Sequence, residues 1–377
     1  MSWIDTCQLC EVENTKKEWS PKPVSVIIPA EVPIITQVRA PKVGTKHIKF
    51  VSTAAGWGGC ARSITTIMKM LVADGHRVEF IPFHKKTIIG REFQNCLDND
   101  LKDVKVNLTY DSLGEHCDVL FMYCDDYIWE FDGGEIVEAF SDINADKKIM
   151  VLNYRRGKVG QLDWTKGWDK YIFLNSSQEL ELKLHLPSAD TLVLPPCTDL
   201  TAFFMANPSF DEPFHKETAI RIVRHSSQGD TKFSKEFQDE IDAILGCRPD
   251  VNLHMMPGPS FVHDTDRYKR AIRNQMSIPD FLETGNLFWY SLPQGYMDMG
   301  PRVIIEAMAS GLPILADNWG GAVDRVTPDC GWLCNSKKEM VDIIKNVTLD
   351  ELRAKGAAAR ERAKGFKAER WVEEITT

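Results

Sequence analysis

The segment from Asp298 to Ile314 sets two carboxylates eight positions apart, Asp298 and Glu306, with Gly300, Pro301 and Arg302 between them. Proline suits the first turn of a helix, where its missing N–H would have had no partner. Gly300 before it lets the backbone come close to a bound group. The free N–H groups and positive dipole end of a helix starting here form an anion site that fits a diphosphate. Glu306, about one turn further in, can accept hydrogen bonds from a diol such as ribose, and Asp298 can bind sugar hydroxyls. Ala307, Ala309 and Ser310 are small enough for tight packing, and Gly311 supplies a helix cap. The plainer alternative is a buried helix whose Glu306 pairs with an arginine.

Two other groups of residues could do chemistry. Arg155, Arg156 and Lys158 follow an apolar run, and residues 153–170 carry a net charge of +3 in an acidic chain. Such a run is usually a solvated face, but at the carboxyl end of a strand it can bind an anionic acceptor. Trp129, Trp164 and Trp168 lie near it and can stack on a sugar or base, although core packing is their ordinary role. Gly56, Gly58 and Gly59 before a helix, with Glu79 about twenty residues on, match a dinucleotide fingerprint and so an NAD(P)-dependent enzyme. That reading leaves the Asp298–Gly321 segment without a role.

These residues need strands and helices to position them. His47–Ser52 reads as a strand, followed by a Gly-rich turn and a helix with Ile64, Ile67, Met68 and Leu71 on one face. Further strands are expected at Arg77–Pro82, Asp118–Tyr123, Lys148–Asn153 and Tyr171–Asn175. A second series has strands at Ile220–Val223, Asn252–Met256, Leu287–Ser291 and Pro313–Ala316. Its helices are expected at Asp230–Leu245, Pro301–Ser310 and Lys337–Lys345, with two more at Asp350–Lys364 and Ala368–Glu374. Alternation of this kind implies parallel sheets covered by helices on both faces. Leu194 to Asp199, with Pro195 and Pro196, has the turn chemistry of a connection between two such halves.

Length and composition agree. A chain of 377 residues favours two domains. The net charge of −9 argues against non-specific coating of nucleic acid or anionic membrane. No apolar run approaches the ~18 residues of a membrane span, and the N-terminus has no apolar signal core, so a cytoplasmic location is expected. The ten cysteines are then expected to be reduced. Cys7 and Cys10 form a lone CxxC, too few ligands for structural zinc, and no metal site is expected.

Asp298, Glu306 and the block that follows resemble the acidic-x7-Glu signature of retaining glycosyltransferases with the GT-B fold, those related to glycosyltransferase family 4 (group 1). Asp298 stands where that family usually has glutamate. Gly320, Gly321, Asp324 and Arg325, then Gly331 and Trp332, look like the family's C-terminal domain. Gly58 and Gly59, with Gly75, His76 and Val78 after the helix, look like its first Gly-Gly loop. Pro195 to Asp199 followed by Phe203 is similar to its hinge, with Cys197 in place of glycine. Arg224 at a strand end and Lys232 at the start of the next helix look like its diphosphate-clamping pair.

The resemblance implies an α/β GT-B architecture, two Rossmann-like domains with a cleft between them and a C-terminal helix crossing back. Its expected parts are a proline-rich arm over 1–45, an acceptor domain over 46–200, a nucleotide-sugar domain over 201–365 and a crossover helix over 366–377. It implies metal-independent transfer of a sugar, with retention, from a nucleotide-diphosphate sugar to a hydroxyl acceptor, and no cofactor. The donor would lie against Gly58, Gly59, Arg224, Lys232, Gly300, Pro301, Arg302 and Glu306. Asp298, Arg224 and Lys232 are implied as catalytic. The family often has a histidine after the fourth strand; here Asp125 and Asp126 stand in that stretch, with Asp126 as a catalytic candidate. Asp125, Arg155, Arg156 and Lys158 are the acceptor-side candidates. A polysaccharide, a small molecule, a lipid or a hydroxylated DNA base all fit as acceptor. The substituted Asp298 and the missing histidine leave a second reading open, a non-catalytic glycosyltransferase-like subunit.

Overall fold

The computed structural model describes residues 44–52, 59–82, 90–107, 113–124, 140, 142–153, 167–183, 190–208, 210, 219–226, 230–272, 275–293, 295–296 and 298–377. The expectations that fall on Cys7, Cys10, Gly58, Asp125, Asp126, Trp129, Arg155, Arg156, Lys158 and Trp164, and on the arm up to residue 43, lie outside the described residues.

Two parallel sheets lie within one unit, 41–377. The first contains β1 (His47–Ser52), β2 (Arg77–Pro82), β3 (Lys105–Val106), β4 (Cys117–Cys124), β5 (Ala145–Leu152), β6 (Lys170–Phe173) and β7 (Asp190–Val193). The second contains β8 (Ile220–His225), β9 (Val251–Met256), β10 (Tyr268–Arg270), β11 (Leu287–Tyr290), β12 (Ile314–Asp317) and β13 (Gly331–Cys334). Their orders are β3-β2-β1-β4-β5-β6-β7 and β10-β9-β8-β11-β12-β13. Each sheet therefore grows outward in both directions from its first strand, the doubly wound pattern of two Rossmann-like halves. The strands read as near-continuous apolar runs because helices cover both faces. Val51 packs on one side of the first sheet and Phe50 on the other, and in the second Ile222 and Val223 do the same.

Helices begin where short polar side chains cap them. Asn175, Ser277, Ser336 and Thr348 each accept a hydrogen bond from a backbone N–H three residues on. Gly311, at φ +86°, ends the helix Arg302–Ala309 as expected of a left-handed cap. The expected helix Asp230–Leu245 is divided: Asp230–Lys232 is a single 3-10 turn and the α-helix starts at Phe237. Tertiary demands override the local pattern there. The Lys232 carbonyl accepts from Arg224 Nη2 at 2.8 Å, and the Asp230 carboxylate accepts from the Ser260 N–H at 2.7 Å.

The last helix, Glu369–Thr376, leaves the second half and completes the core of the first. Trp371, Val372 and Ile375 are buried with Ile48, Phe50 and Phe121 of the first sheet. The Trp371 ring meets Phe121 edge-on at 6.4 Å and lies 5.8 Å from Tyr123, while its Nε1 donates to the Pro195 carbonyl at 2.9 Å. Lys170 Nζ pairs with Glu374 Oε2 at 2.8 Å. Among the described residues, no helix is long and apolar enough to cross a membrane.

Trp371→Ala is expected to destabilise the protein by ~3–5 kcal/mol, the range for deleting a buried tryptophan. Urea unfolding measures this; an unchanged midpoint would mean that the helix is not part of the first half's core.

Candidate functional site

In the second sheet the chain leaves β8 toward one edge and β11 toward the other, so a crevice opens where their carboxyl ends lie side by side. The candidate residues gather there. Alternation along β8 sends its last two side chains to opposite faces. Arg224 turns toward the helix Phe237–Cys247, with its guanidinium 4.3 Å from the Phe233 ring centroid and 5.5 Å from that of Tyr290. His225 turns toward the helix Arg302–Ala309, edge-on to Phe288.

Asp298, expected to bind sugar hydroxyls, is 5% exposed and turned into the protein. Its Oδ2 accepts from Lys232 Nζ at 2.7 Å and from the Tyr290 hydroxyl at 2.6 Å, and its Oδ1 from the Gly300 N–H at 3.2 Å. Burial pushes this carboxyl up, but Lys232, Tyr290 and Arg325 outweigh it and hold it below the usual range. Burial likewise works against the Lys232 charge, and Asp298 more than restores it. Arg224 is fully buried, which lowers it to about 10. Its Nε and Nη1 have no hydrogen-bond partner among the described residues.

Glu306 forms the second group. It is 2% exposed, with Oε2 3.2 Å from His225 Nε2 and Oε1 accepting from Arg302 Nη2 at 3.2 Å. Burial raises the carboxyl, while His225, Arg302 and Arg62 together hold it at about 2. Arg302 also donates Nη1 to the Gly59 carbonyl at 3.0 Å. Gly59 opens the helix after β1 and Arg302 opens the helix after β11, so the carboxyl-end loops of the two sheets meet here.

Gly300 marks another contact between the halves. A Cβ there would lie 2.6 Å from Pro196 Cγ and 2.9 Å from Leu174 Cδ1, so the close approach needing glycine is to the first half. Asn175 Nδ2 donates to the Met299 carbonyl at 2.9 Å, and Arg325 Nη2 to the Leu174 carbonyl at 3.1 Å. Pro301 sits just before the helix, as its N-cap.

The structure thus joins Arg224, Lys232 and Asp298 in one cluster and Glu306, Arg302 and Gly59 in another. His225 and Tyr290 belong to these clusters and were not singled out in the sequence. Alternation beyond Arg224 at the end of β8 is the signal that would have found His225; Tyr290 carries none beyond its place at a strand end. Glu79 lies midway along β2, buried, with His47 Nε2 at 3.4 Å and Asn107 Nδ2 at 2.9 Å. A dinucleotide-binding acid belongs at the strand's carboxyl end, so the NAD(P) reading loses its acid.

By sequence, the chain matches no family model and no curated protein. By structure it is similar to Anabaena HepE in complex with UDP-glucose, at 15% identity over 88% of this chain and 98% of that one, with a TM-score of 0.63. It is also similar to sucrose-phosphate synthase from Thermosynechococcus elongatus (15% identity, 88% and 97% covered, TM-score 0.60). A glycosyltransferase from Rickettsia africae gives 14% identity, 88% and 97% covered, and a TM-score of 0.62. The fold is GT-B: two Rossmann-like halves whose carboxyl ends face each other.

The depressed Glu306 carboxyl makes a pH prediction. A group whose pKa falls on folding stabilises the protein above its unfolded value and loses that contribution as pH falls through the folded one. A drop from 4.5 to about 2 corresponds to on the order of 3 kcal/mol, lost between those pH values. Asp298 adds loss in the same direction. Denaturant unfolding from pH 6 down to 2 should show this fall, and Glu306→Gln should flatten it. An equally steep fall in the variant would mean that Glu306 is not the depressed group.

Proposed function

We propose that this chain is a retaining glycosyltransferase that moves a sugar from a nucleotide-diphosphate sugar to a hydroxyl acceptor. The observation that carries this reading is the cluster at the switch point of the second sheet. There a buried Arg224 keeps two donors that no described residue fills, beside the Lys232–Asp298 pair and the start of the helix Arg302–Ala309. A buried guanidinium with unfilled donors favours an anionic partner. Cleavage of the sugar's C1–O bond builds charge on the leaving diphosphate, and Arg224, Lys232 and the helix N–H groups are placed to stabilise it. We assign this work to the protein's cations rather than to a metal ion or cofactor. Glu306, kept ionised, is an acceptor only and suits two ribose hydroxyls. The UDP-glucose bound by Anabaena HepE supports a nucleotide sugar as donor. The acceptor carries a hydroxyl in this reading, with the first half as its domain.

One observation favours a second reading, a glycosyltransferase-like subunit without turnover. Asp298 already accepts three hydrogen bonds and is closed to solvent, so its carboxylate is not presented to a sugar. Release of nucleoside diphosphate from the sugar nucleotide distinguishes the two.

Thermal shift with UDP, GDP, ADP and their sugar conjugates tests donor binding. A ligand at a hundred times its dissociation constant adds ~2.7 kcal/mol of stability. Stabilisation by one diphosphate and its sugar is expected; no shift with any would overturn the donor reading. Glu306→Ala should weaken that binding by ~1.5–3 kcal/mol, about ten- to hundred-fold. Unchanged affinity would remove the ribose role.

A further inference from the structure

Tyr290 joins the two cationic groups of the crevice. Its ring lies 5.5 Å from the Arg224 guanidinium, and its hydroxyl donates to the same Asp298 oxygen that Lys232 holds. It is 2% exposed, and its position at the end of β11 places it beside β8, which carries Arg224. Two donors on Oδ2 fix the carboxylate from different elements, one from the 3-10 turn and one from the strand. Without the phenol, Oδ2 would be held by Lys232 alone, with only the Gly300 N–H on Oδ1, and the ammonium would be free to follow it.

We propose that Tyr290 is a positioning residue for the proposed transfer: its hydroxyl fixes Asp298 so that the Lys232 ammonium is held beside the loop 298–301. This rests on reading the crevice as a nucleotide-sugar site. Tyr290 does not itself touch substrate; it acts through Asp298 on Lys232. Burial and the neighbouring Asp298 charge push the phenol well above its ordinary value, so it is a constant donor across the working range. The charged and titratable groups facing the pair are Lys232 from the turn, Arg224 from β8, Arg325 from beyond Gly320–Ala322, and Tyr296.

Tyr290→Phe keeps the ring over Arg224 and removes only the hydroxyl. The test measures, by calorimetry at pH 7, the affinity for whichever of UDP, GDP or ADP the wild-type full chain binds. About ten-fold weaker binding is expected, because the Lys232 ammonium is no longer held in place. In a Lys232→Met background the same substitution should have almost no further effect, since residues acting through one another are not additive. Unchanged affinity, or equal weakening in both backgrounds, would overturn the proposal and leave Tyr290 a packing residue. If Tyr290→Phe does not fold, Asp298→Asn takes its place. It should reproduce the ten-fold loss, and retained affinity would overturn the proposal. Failure of the wild type to bind any of the three diphosphates overturns the nucleotide-sugar reading itself, a result visible before any variant is made.

Discussion

The ion pair between Asp298 and Lys232 constrains much of what surrounds it. Both groups are removed from water, which costs several kcal/mol per ion unless their remaining hydrogen-bonding capacity is filled. Tyr290 and the Gly300 N–H do this for the carboxylate. The pair ties the 3-10 turn after Asp230, which carries Lys232, to the loop 298–301 and pins that loop. The pinned loop then lies against Pro196 and Leu174, which only glycine at position 300 allows. One buried contact in the second half thus bears on how that half meets the first, beside the Arg302–Gly59 and Arg325–Leu174 hydrogen bonds.

Much of the fold was legible in the sequence because it rests on strong, local patterns. His47–Ser52 and Arg77–Pro82 are apolar runs buried on both faces, and they fold with those bounds. The helix after Asp298 carries its own start and stop in Pro301 and Gly311. The two-residue β3 and three-residue β10 have too few side chains to show a period. The helix expected over Asp230–Leu245 was misread because its break is imposed by Arg224, Phe233 and Ser260 rather than by glycine or proline. For the site, Arg224, Lys232, Asp298 and Glu306 stood out by type and spacing. Their partners did not. A histidine ending β8 and a tyrosine ending β11 look like ordinary strand residues until the sheets place them, and nothing local to Asp298 tells that its carboxylate is buried.

The crossover helix has a consequence for biosynthesis. Trp371, Val372 and Ile375 belong to the core of a sheet that begins at residue 47, yet the ribosome makes them only after every strand of the second sheet. The first half can form strands and helices as it emerges, but one face of its core stays open until the second half has been made. During that interval the apolar surface around Phe121 and Tyr123 is exposed to chaperones and to other nascent chains. Maturation of the first half is thus tied to synthesis of the second, although its own last strand ends at Val193.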